Sequence, residues 1–250
     1  MKKEILYGKS PILEALRAGR RKFYSFQYAS EKEDASLAEV FLGLSQHRVR
    51  PERTTRSALD SKVPQGLTQG WVAEVSEYPY FDFGDLHRKV KEKPQAIVLA
   101  LDHLQDPQNL GAILRSAECA GVDGVLIPED RSCHVTAAAC KAAAGAEEHL
   151  PISLVTNLVR ALEQLKSDGF WVVGTGLPEQ EGQIPQDALS FDWPKKTILV
   201  MGAEGEGMRK LVKSSCDFLI HLPLAGKISS LNVSAAAAIC LYEIVRNKSI

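Results

Sequence analysis

Residues 96–128 read AIVLALDHLQDPQNLGAILRSAECAGVDGVLIP, and their pattern indicates the architecture of the larger part of the chain. It holds a short apolar run, AIVLAL, then a helical pattern and a second apolar run, GVLIP. The alternation continues through HLPISLV (149–155), FWVVGTG (170–176), TILVMG (197–202) and FLIHLPL (218–224). Short continuous apolar runs between amphipathic helices indicate a buried parallel sheet with helices on both faces. Residues 95–250 are therefore predicted to form an α/β domain.

The preceding residues have a different texture. SPILEALRAG and SLAEVFLGLSQ have helical patterns, and KFYSFQYA and QGWVAEVSEY have strand patterns. Residues 1–76 are therefore predicted to form a small α+β domain. Residues 77–94 carry Pro79 and the basic run HRKVKEK, which is typical of an ordered linker.

The composition is that of a soluble globular protein, with 45% hydrophobic and 24% charged residues in 250. The uncharged run 228–242 is shorter than the roughly 20 residues that span a bilayer, and residues 1–11 lack the apolar core of a secretory signal. We therefore expect a cytoplasmic protein without membrane contact. The five cysteines form no C-x-x-C pair, so neither a metal site nor a disulfide framework is predicted.

Charge is unevenly distributed along the chain, although the net charge is only −1. Residues 1–95 hold 17 Lys and Arg against 13 Asp and Glu, and residues 96–250 hold 13 against 18. Clustered cations attract phosphates, but a solvated surface explains such clusters equally well. The cations concerned are Lys2, Lys3, Lys9, Arg17, Arg20, Arg21, Lys22, Arg48, Arg50, Arg53 and Arg56.

Three polar segments follow strands of the predicted sheet. In the first, Asp106 and Pro107 form a helix start, and Asn109 and Arg115 are expected on the exposed side of that helix. An Asn and an Arg in this position suit a phosphate or a ribose. A capping Asn and a surface Arg are the alternative interpretation.

The second and third segments are LVMGAEGEGM (199–208) and HLPLAGKISSLNVSAAAAICLYEIV (221–245). The glycine loop differs from the G-x-G-x-x-G dinucleotide fingerprint, and Glu204 and Glu206 favour a cationic or neutral ligand over a phosphate. A tight glycine turn remains the alternative. Polar residues Ser229, Ser230, Asn232 and Ser234 open a helix of small residues, where they are either helix caps or part of a site.

Together, DPQNLGAILRSA, LVMGAEGEGM and LPLAGKISSLNVS resemble the three motifs of the SpoU/TrmH class of RNA ribose 2′-O-methyltransferases. The resemblance continues through GVLIPEDRS, CKAAAGAEEHLPI and WVVGT, and covers residues 95–247. LYGKSPILEAL and QGWVAEV are similar to the substrate-binding domain of the RlmB-like branch. Two departures are Thr68-Gln69-Gly70, where the class often has His-Gln-Gly, and Leu222-Pro223-Leu224, where it usually has Ile-Pro-Met.

The resemblance implies a knotted (trefoil) parallel-sheet SPOUT domain, S-adenosyl-L-methionine as cofactor, a homodimer, and a guanosine of 23S rRNA as substrate. The implied cofactor-binding residues are Thr175, Gly202, Leu222 and Leu231, and the implied catalytic residues are Asn109, Arg115, Glu204, Ser230 and Asn232. A guanidinium keeps its proton in proteins. We therefore expect Arg115 to hold an RNA phosphate and stabilise the developing alkoxide, oriented by Glu204 or Asn109.

Three other functions compete with this prediction. A tRNA ribose would be methylated by the same chemistry. A non-catalytic RNA-binding or assembly protein could share the fold, although all the polar motif positions are filled here. A nucleotide-dependent oxidoreductase would need a G-x-G-x-x-G turn after its first strand, which this chain lacks.

Overall fold

A computed structural model of the chain describes residues 3–29, 35–63, 67–176, 185–203, 205 and 207–248. The chain forms two compact units. The first comprises Met1–Pro79 and Val135–His149, and the second comprises Tyr80–His134 and Leu150–Ile250.

The strands are β1 (Lys3–Tyr7), β2 (Phe23–Tyr28), β3 (Glu52–Arg53), β4 (Trp71–Ser76), β5 (Ala96–Leu101), β6 (Gly124–Pro128), β7 (Ile152–Val155), β8 (Trp171–Thr175), β9 (Gln186–Asp187), β10 (Lys196–Met201) and β11 (Phe218–His221).

The helices lie between these strands, except for α9, which follows β11. They are α1 (Lys9–Ala18), α2 (Ala35–Gln46), α3 (Arg56–Asp60), α4 (Phe83–Lys91), α5 (Pro107–Cys119), α6 (Ala137–Ala143), α7 (Leu158–Lys166), α8 (Lys210–Ser214) and α9 (Val233–Lys248), with a 3₁₀ helix at Ala146–His149. No helix in the described ranges is long and apolar enough to cross a membrane.

The first unit has a four-stranded sheet in the order β1-β4-β2-β3. β4 is antiparallel to both neighbours, and β3 pairs parallel to β2. As predicted, SPILEALRAG forms a helix that Gly19 ends in the left-handed conformation, and KFYSFQYA contains a strand. The sheet packs Phe23, Phe26 and Trp71 into the core of this unit, which has the α+β composition that the sequence predicts for residues 1–76. The unit also includes Val135–His149, which the sequence analysis places in the predicted domain 95–250.

A buried ion pair joins the two segments of the first unit. Arg21 is 1% exposed, and its Nε lies 2.6 Å from Oε1 of Glu148, while its Nη1 donates to Oε2 of Glu4. Arg17 pairs with Glu39 on the surface. Two cations of the basic N-terminal cluster are therefore paired with carboxylates of the protein, one of them in its interior, which weakens the view of that cluster as one continuous phosphate-binding surface.

The second unit has a seven-stranded sheet in the order β7-β6-β5-β10-β8-β11-β9, and every neighbouring pair is parallel. The predicted parallel sheet is confirmed. The chain runs outward from β5 to β7 and then places β8 on the other side of β10. The strand order thus reverses between β5 and β10, and open α/β sheets bind ligands at the carboxyl ends of strands near such a reversal.

Helices cover this sheet in two groups. Helices α4, α7 and α8 pack on strand residues such as Val98, Ala100 and Val200. Because side chains alternate along a strand, the intervening residues, such as Leu99, face the other side, where α9 contacts β10 and packs against α5. Helix α4 lies within residues 77–94, and its Leu86 and Val90 are fully buried in the core.

Candidate active site

A cavity of about 620 Å³ lies at the carboxyl ends of β10, β8 and β11 in the second unit. The strand ends contribute Gly202, Thr175 and Leu222 to its wall. The start of α9 and the loop before it form the opposite wall, with Ser230 and Asn232. The cavity thus brings together the second and third polar segments of the sequence.

The glycine loop forms one side of this cavity because it folds back on the end of β10. Two backbone hydrogen bonds close the loop, from the Ala203 N–H to the Gly207 carbonyl (3.1 Å) and from the Gly207 N–H to the Ala203 carbonyl (3.0 Å). A Cβ atom on Gly202 would lie 2.3 Å from the Gly207 carbonyl carbon, so no side chain fits there. Glycine at position 202 therefore allows the loop to pack directly on the end of β10.

Asn232 organises the opposite wall. Its Oδ1 accepts hydrogen bonds from the backbone N–H of Ser234 (2.9 Å) and of Ala235 (3.4 Å), and thus caps α9. Its Nδ2 donates to Oδ1 of Asn109 at 2.9 Å. This bond connects the first turn of α5 to the start of α9, so the first polar segment meets the third.

Helix α5 begins as predicted but presents Asn109 differently. Asp106 accepts from the backbone N–H groups of Gln108 and Asn109, and Pro107 occupies the first turn. We expected Asn109 on the exposed side of the helix; this is wrong, because Asn109 is only 8% exposed. Its side chain turns toward α9 because Asn232 supplies the hydrogen-bond partner that a buried amide needs.

Arg115 is exposed, as predicted, and lies away from the buried stripe of α5. Within the described ranges it has no hydrogen-bond or ion-pair partner, and it does not line the cavity formed by its own chain. Glu204, which we expected to orient it, lies outside the described residues, as does Glu206. The predicted acidic character of the cavity depends on these two side chains.

Six of the nine predicted site residues line the cavity: Thr175, Gly202, Leu222, Ser230, Leu231 and Asn232. Asn109 lies behind the cavity wall and is hydrogen-bonded to the lining residue Asn232. The structure thus brings together seven residues that are scattered over more than 120 positions of the chain. Their roles in cofactor binding and catalysis stay predictions.

The sequence interpretation missed several lining residues, including Lys213, His221 and Cys240. The titratable side chains of the described wall are Lys213, His221 and Cys240. Burial raises the pKa of the Cys240 thiol to about 12, so it stays protonated and neutral at physiological pH. Of these three residues, only His221 could have been predicted from the sequence, because it ends the apolar run FLIH and the ends of strands border such sites. Among the described side chains, no cluster of three or more His, Cys, Asp or Glu could hold a metal ion.

Comparison with protein families assigns the chain to a class of RNA-modifying enzymes. The SpoU rRNA methylase family matches residues 96–242, and the family described as RNA 2′-O ribose methyltransferase substrate binding matches residues 5–81. The chain belongs to the SpoU rRNA methylase family, and by class it is an RNA 2′-O-ribose methyltransferase.

Individual relatives match over nearly the whole chain. YacO of Bacillus subtilis, a TrmH-family protein, is 39% identical over 98% of this chain and 96% of its own length. The 23S rRNA (guanosine-2′-O-)-methyltransferase RlmB of Escherichia coli K12 is 38% identical over 98% of this chain and 99% of its own. The SpoU methyltransferase AviRb of Streptomyces viridochromogenes, crystallised with AdoMet, has the same fold, with a TM-score of 0.78, 24% identity and coverage of 99% and 91%.

Proposed function

We propose that this chain transfers a methyl group from S-adenosyl-L-methionine to the ribose 2′-hydroxyl of a guanosine in 23S rRNA. The observation that supports this most directly is the 620 Å³ cavity, which gathers six of the predicted site residues at the carboxyl edge of a parallel sheet. The proposal extends the family membership to one cofactor and one substrate.

The described wall of the cavity fits the proposed cofactor in size and chemistry. Small-molecule sites commonly measure about 300–1,000 Å³ and combine apolar walls with a few polar groups. Here Leu222 and Leu231 supply apolar surface, Gly202 exposes backbone, and Thr175 adds a hydroxyl that donates to the Val200 carbonyl. The cofactor would supply a methyl group carried on a positively charged sulfur.

The polar residues of the site would position the ribose. A ribose hydroxyl is a weak nucleophile, and it gains most from alignment and from stabilisation of the negative charge that develops on its oxygen. The bond between Asn232 and Asn109 holds the loop before α9 against α5, and Ser230 lies exposed in that loop. Arg115 would contact the adjacent RNA phosphate and stabilise the developing alkoxide, with Glu204 as a further polar group of the site.

The RNA target is proposed from the relatives and from the first unit. RlmB of Escherichia coli is named for methylating a guanosine of 23S rRNA, and it matches this chain nearly end to end. Residues 1–76 would bind the RNA, residues 77–94 would connect, and residues 95–250 would carry the reaction. A cytoplasmic location is part of the proposal, since bacterial ribosomes are assembled there.

A homodimer is also part of the proposal. One face of α9 exposes Ala235, Ile239 and Tyr242 at helical spacing, and an exposed apolar stripe of this kind favours burial against another surface. Because Arg115 lies outside the cavity of its own chain, a second copy would also be a way to complete the site. The trefoil knot stays a prediction.

The test is methylation of RNA in vitro. The purified chain is incubated with methyl-labelled S-adenosyl-L-methionine and total RNA from a strain that lacks the gene. Label is expected on a guanosine ribose of 23S rRNA. RNA from the strain that retains the gene is the control, because its site is already methylated and should take up little label.

Two results would contradict the proposal in different ways. Label that appears in tRNA and not in 23S rRNA would transfer the assignment to a tRNA ribose. Calorimetry that detects no cofactor binding would favour a non-catalytic RNA-binding protein.

A further inference from the structure

The second unit has another cavity, of about 470 Å³, at the carboxyl ends of β5, β6 and β7 and at the starts of α7 and α8. It shares no lining residue with the first cavity. The glycine loop and Met208 line the first cavity, and the residues that follow, from Arg209 to Val212, line the second. The two cavities therefore flank the same loop. The polar groups of the second wall include His103, Asp130, Arg131, Asn157, Arg209 and Lys210.

Arg209 is fixed in this wall by a buried carboxylate. Asp102 is fully buried; its Oδ2 accepts from the Arg209 backbone N–H at 2.7 Å, and its Oδ1 accepts from Nε at 2.8 Å. Oδ1 also lies 2.7 Å from Nη2. The side chain of Arg209 is nevertheless 47% exposed. The guanidinium is thus held in one orientation while part of it faces the cavity, as a preorganised anion-binding group requires.

Two further cations line the cavity without being neutralised by the described residues. Arg131 follows β6 in the GVLIPEDRS segment, and Lys210 begins α8; both are exposed, and neither has an ion-pair partner within the described ranges. Among the described lining residues Asp130 is the one carboxylate, and its negative charge repels an anion. With Arg209 offset by Asp102, the wall keeps a positive balance.

Backbone groups add to this balance. The first residues of α7, Leu158 and Val159, line the same cavity, and helix starts carry N–H groups that favour negative charge. The cavity, the fixed guanidinium and the two unneutralised cations favour an anion independently of this helix start.

We propose that this second cavity binds a backbone phosphate of the substrate RNA, close in sequence to the nucleotide whose ribose enters the first cavity. The inference rests on the proposed function, because it takes RNA as the substrate. In RNA every ribose is flanked by phosphates, so a strand that places a ribose on one side of the glycine loop carries phosphates past the other side. The contact sets the position of the strand and is independent of base sequence.

The experiment neutralises the two cations together, as Arg131→Gln with Lys210→Gln. Lys195→Gln is the matched control, because Lys195 is exposed and precedes β10 at the opposite edge of the sheet. The Kd for 23S rRNA from a strain lacking the gene is measured by filter binding between about 50 and 200 mM KCl. The Kd for S-adenosyl-L-methionine is measured by calorimetry.

In the double variant the RNA Kd is expected to rise roughly three- to tenfold, and the slope of log Kd against log salt to fall by about 0.7–1.8, the effect of one or two lost phosphate contacts. The cofactor Kd should stay at the wild-type value, and Lys195→Gln should match the wild type in both. An unchanged RNA Kd, or a weaker RNA Kd with an unchanged salt slope, would overturn the proposal. If the wild type bound inorganic phosphate and the double variant did not, while both bound RNA equally well, the proposal would be overturned in favour of a site for a free anion.

These outcomes are separable from failure of the proposed function. If the wild type methylates no RNA, the proposed function is contradicted, whereas the RNA Kd and its salt slope still decide whether the second cavity holds a phosphate.

Discussion

Gly202→Ala should disrupt the 620 Å³ cavity, because the new methyl group would occupy space already filled by backbone. Its Cβ would lie 2.3 Å from the carbonyl carbon of Gly207 and 2.4 Å from the backbone nitrogen of Met208. Neither atom is the end of a flexible side chain, so the loop itself has to move.

The cost can be worked out from the contacts that are lost. Moving the loop breaks the two hydrogen bonds between Ala203 and Gly207, each worth about 0.5–1.5 kcal/mol. Forcing a methyl group into a packed site typically costs about 1–3 kcal/mol. We therefore expect a loss of roughly 2–6 kcal/mol in the free energy of unfolding, or a displaced loop with cofactor binding at least about tenfold weaker.

Urea unfolding and calorimetric titration with S-adenosyl-L-methionine measure both effects. Gly226→Ala is the control, because it makes the same chemical change where no described atom lies within 4 Å of the new Cβ. A Gly202→Ala protein with wild-type stability and wild-type cofactor affinity would refute the reasoning.

Three further predictions concern single side chains. Asn232→Ala removes the cap of α9 and leaves the buried Oδ1 of Asn109 unpaired, so urea unfolding should show a loss of about 2–4 kcal/mol; Asn232→Ser, which can still cap, should lose less. Arg115→Ala should slow single-turnover methyl transfer about 100-fold, with partial rescue by Arg115→Lys, and a rate within about threefold of wild type would contradict the role of Arg115. Burial raises the pKa of Glu147 from 4.5 to about 7, because the buried side chain is more stable when it is protonated. The free energy of unfolding is therefore highest below about pH 4.5, and it falls as the pH rises through about 7. Glu147→Gln should remove this pH dependence, which amounts to roughly 3 kcal/mol between about pH 4 and 8. If the free energy of unfolding of the variant varied with pH in parallel with that of the wild type, this prediction would be contradicted.

The sequence predicted the elements of the fold because their signals are local. Apolar runs mark β5, β6, β8, β10 and β11, and Asp106 with Pro107 marks the start of α5. The sequence does not predict α4, because its two buried residues, Leu86 and Val90, are separated and followed by the charged residues of the run HRKVKEK.

The contacts that build the site are not local, and a pattern along the chain does not show them. Asn109 was expected in solvent because its own helix gives no reason to bury it; the reason is Asn232, 123 positions later. Likewise, Arg21 belongs to a basic run in sequence, yet in space it faces Glu148, 127 positions away. The glycine loop is recognisable from the sequence, whereas the second cavity is not, because its cations come from segments that follow two different strands, β6 and β10.

The ion pair between Arg21 and Glu148 has a consequence for how the chain can be divided. A fragment ending at Pro79 would retain Arg21 and lose Glu148, together with the 135–149 segment that covers it. In that fragment Arg21 would still bond to Glu4 but would lose Glu148. Removing one partner of a buried ion pair typically costs about 3–5 kcal/mol, a large fraction of the stability of a domain of this size. The first unit is therefore not separable as residues 1–79, because a newly synthesised chain can complete its core only after residue 149 has been made.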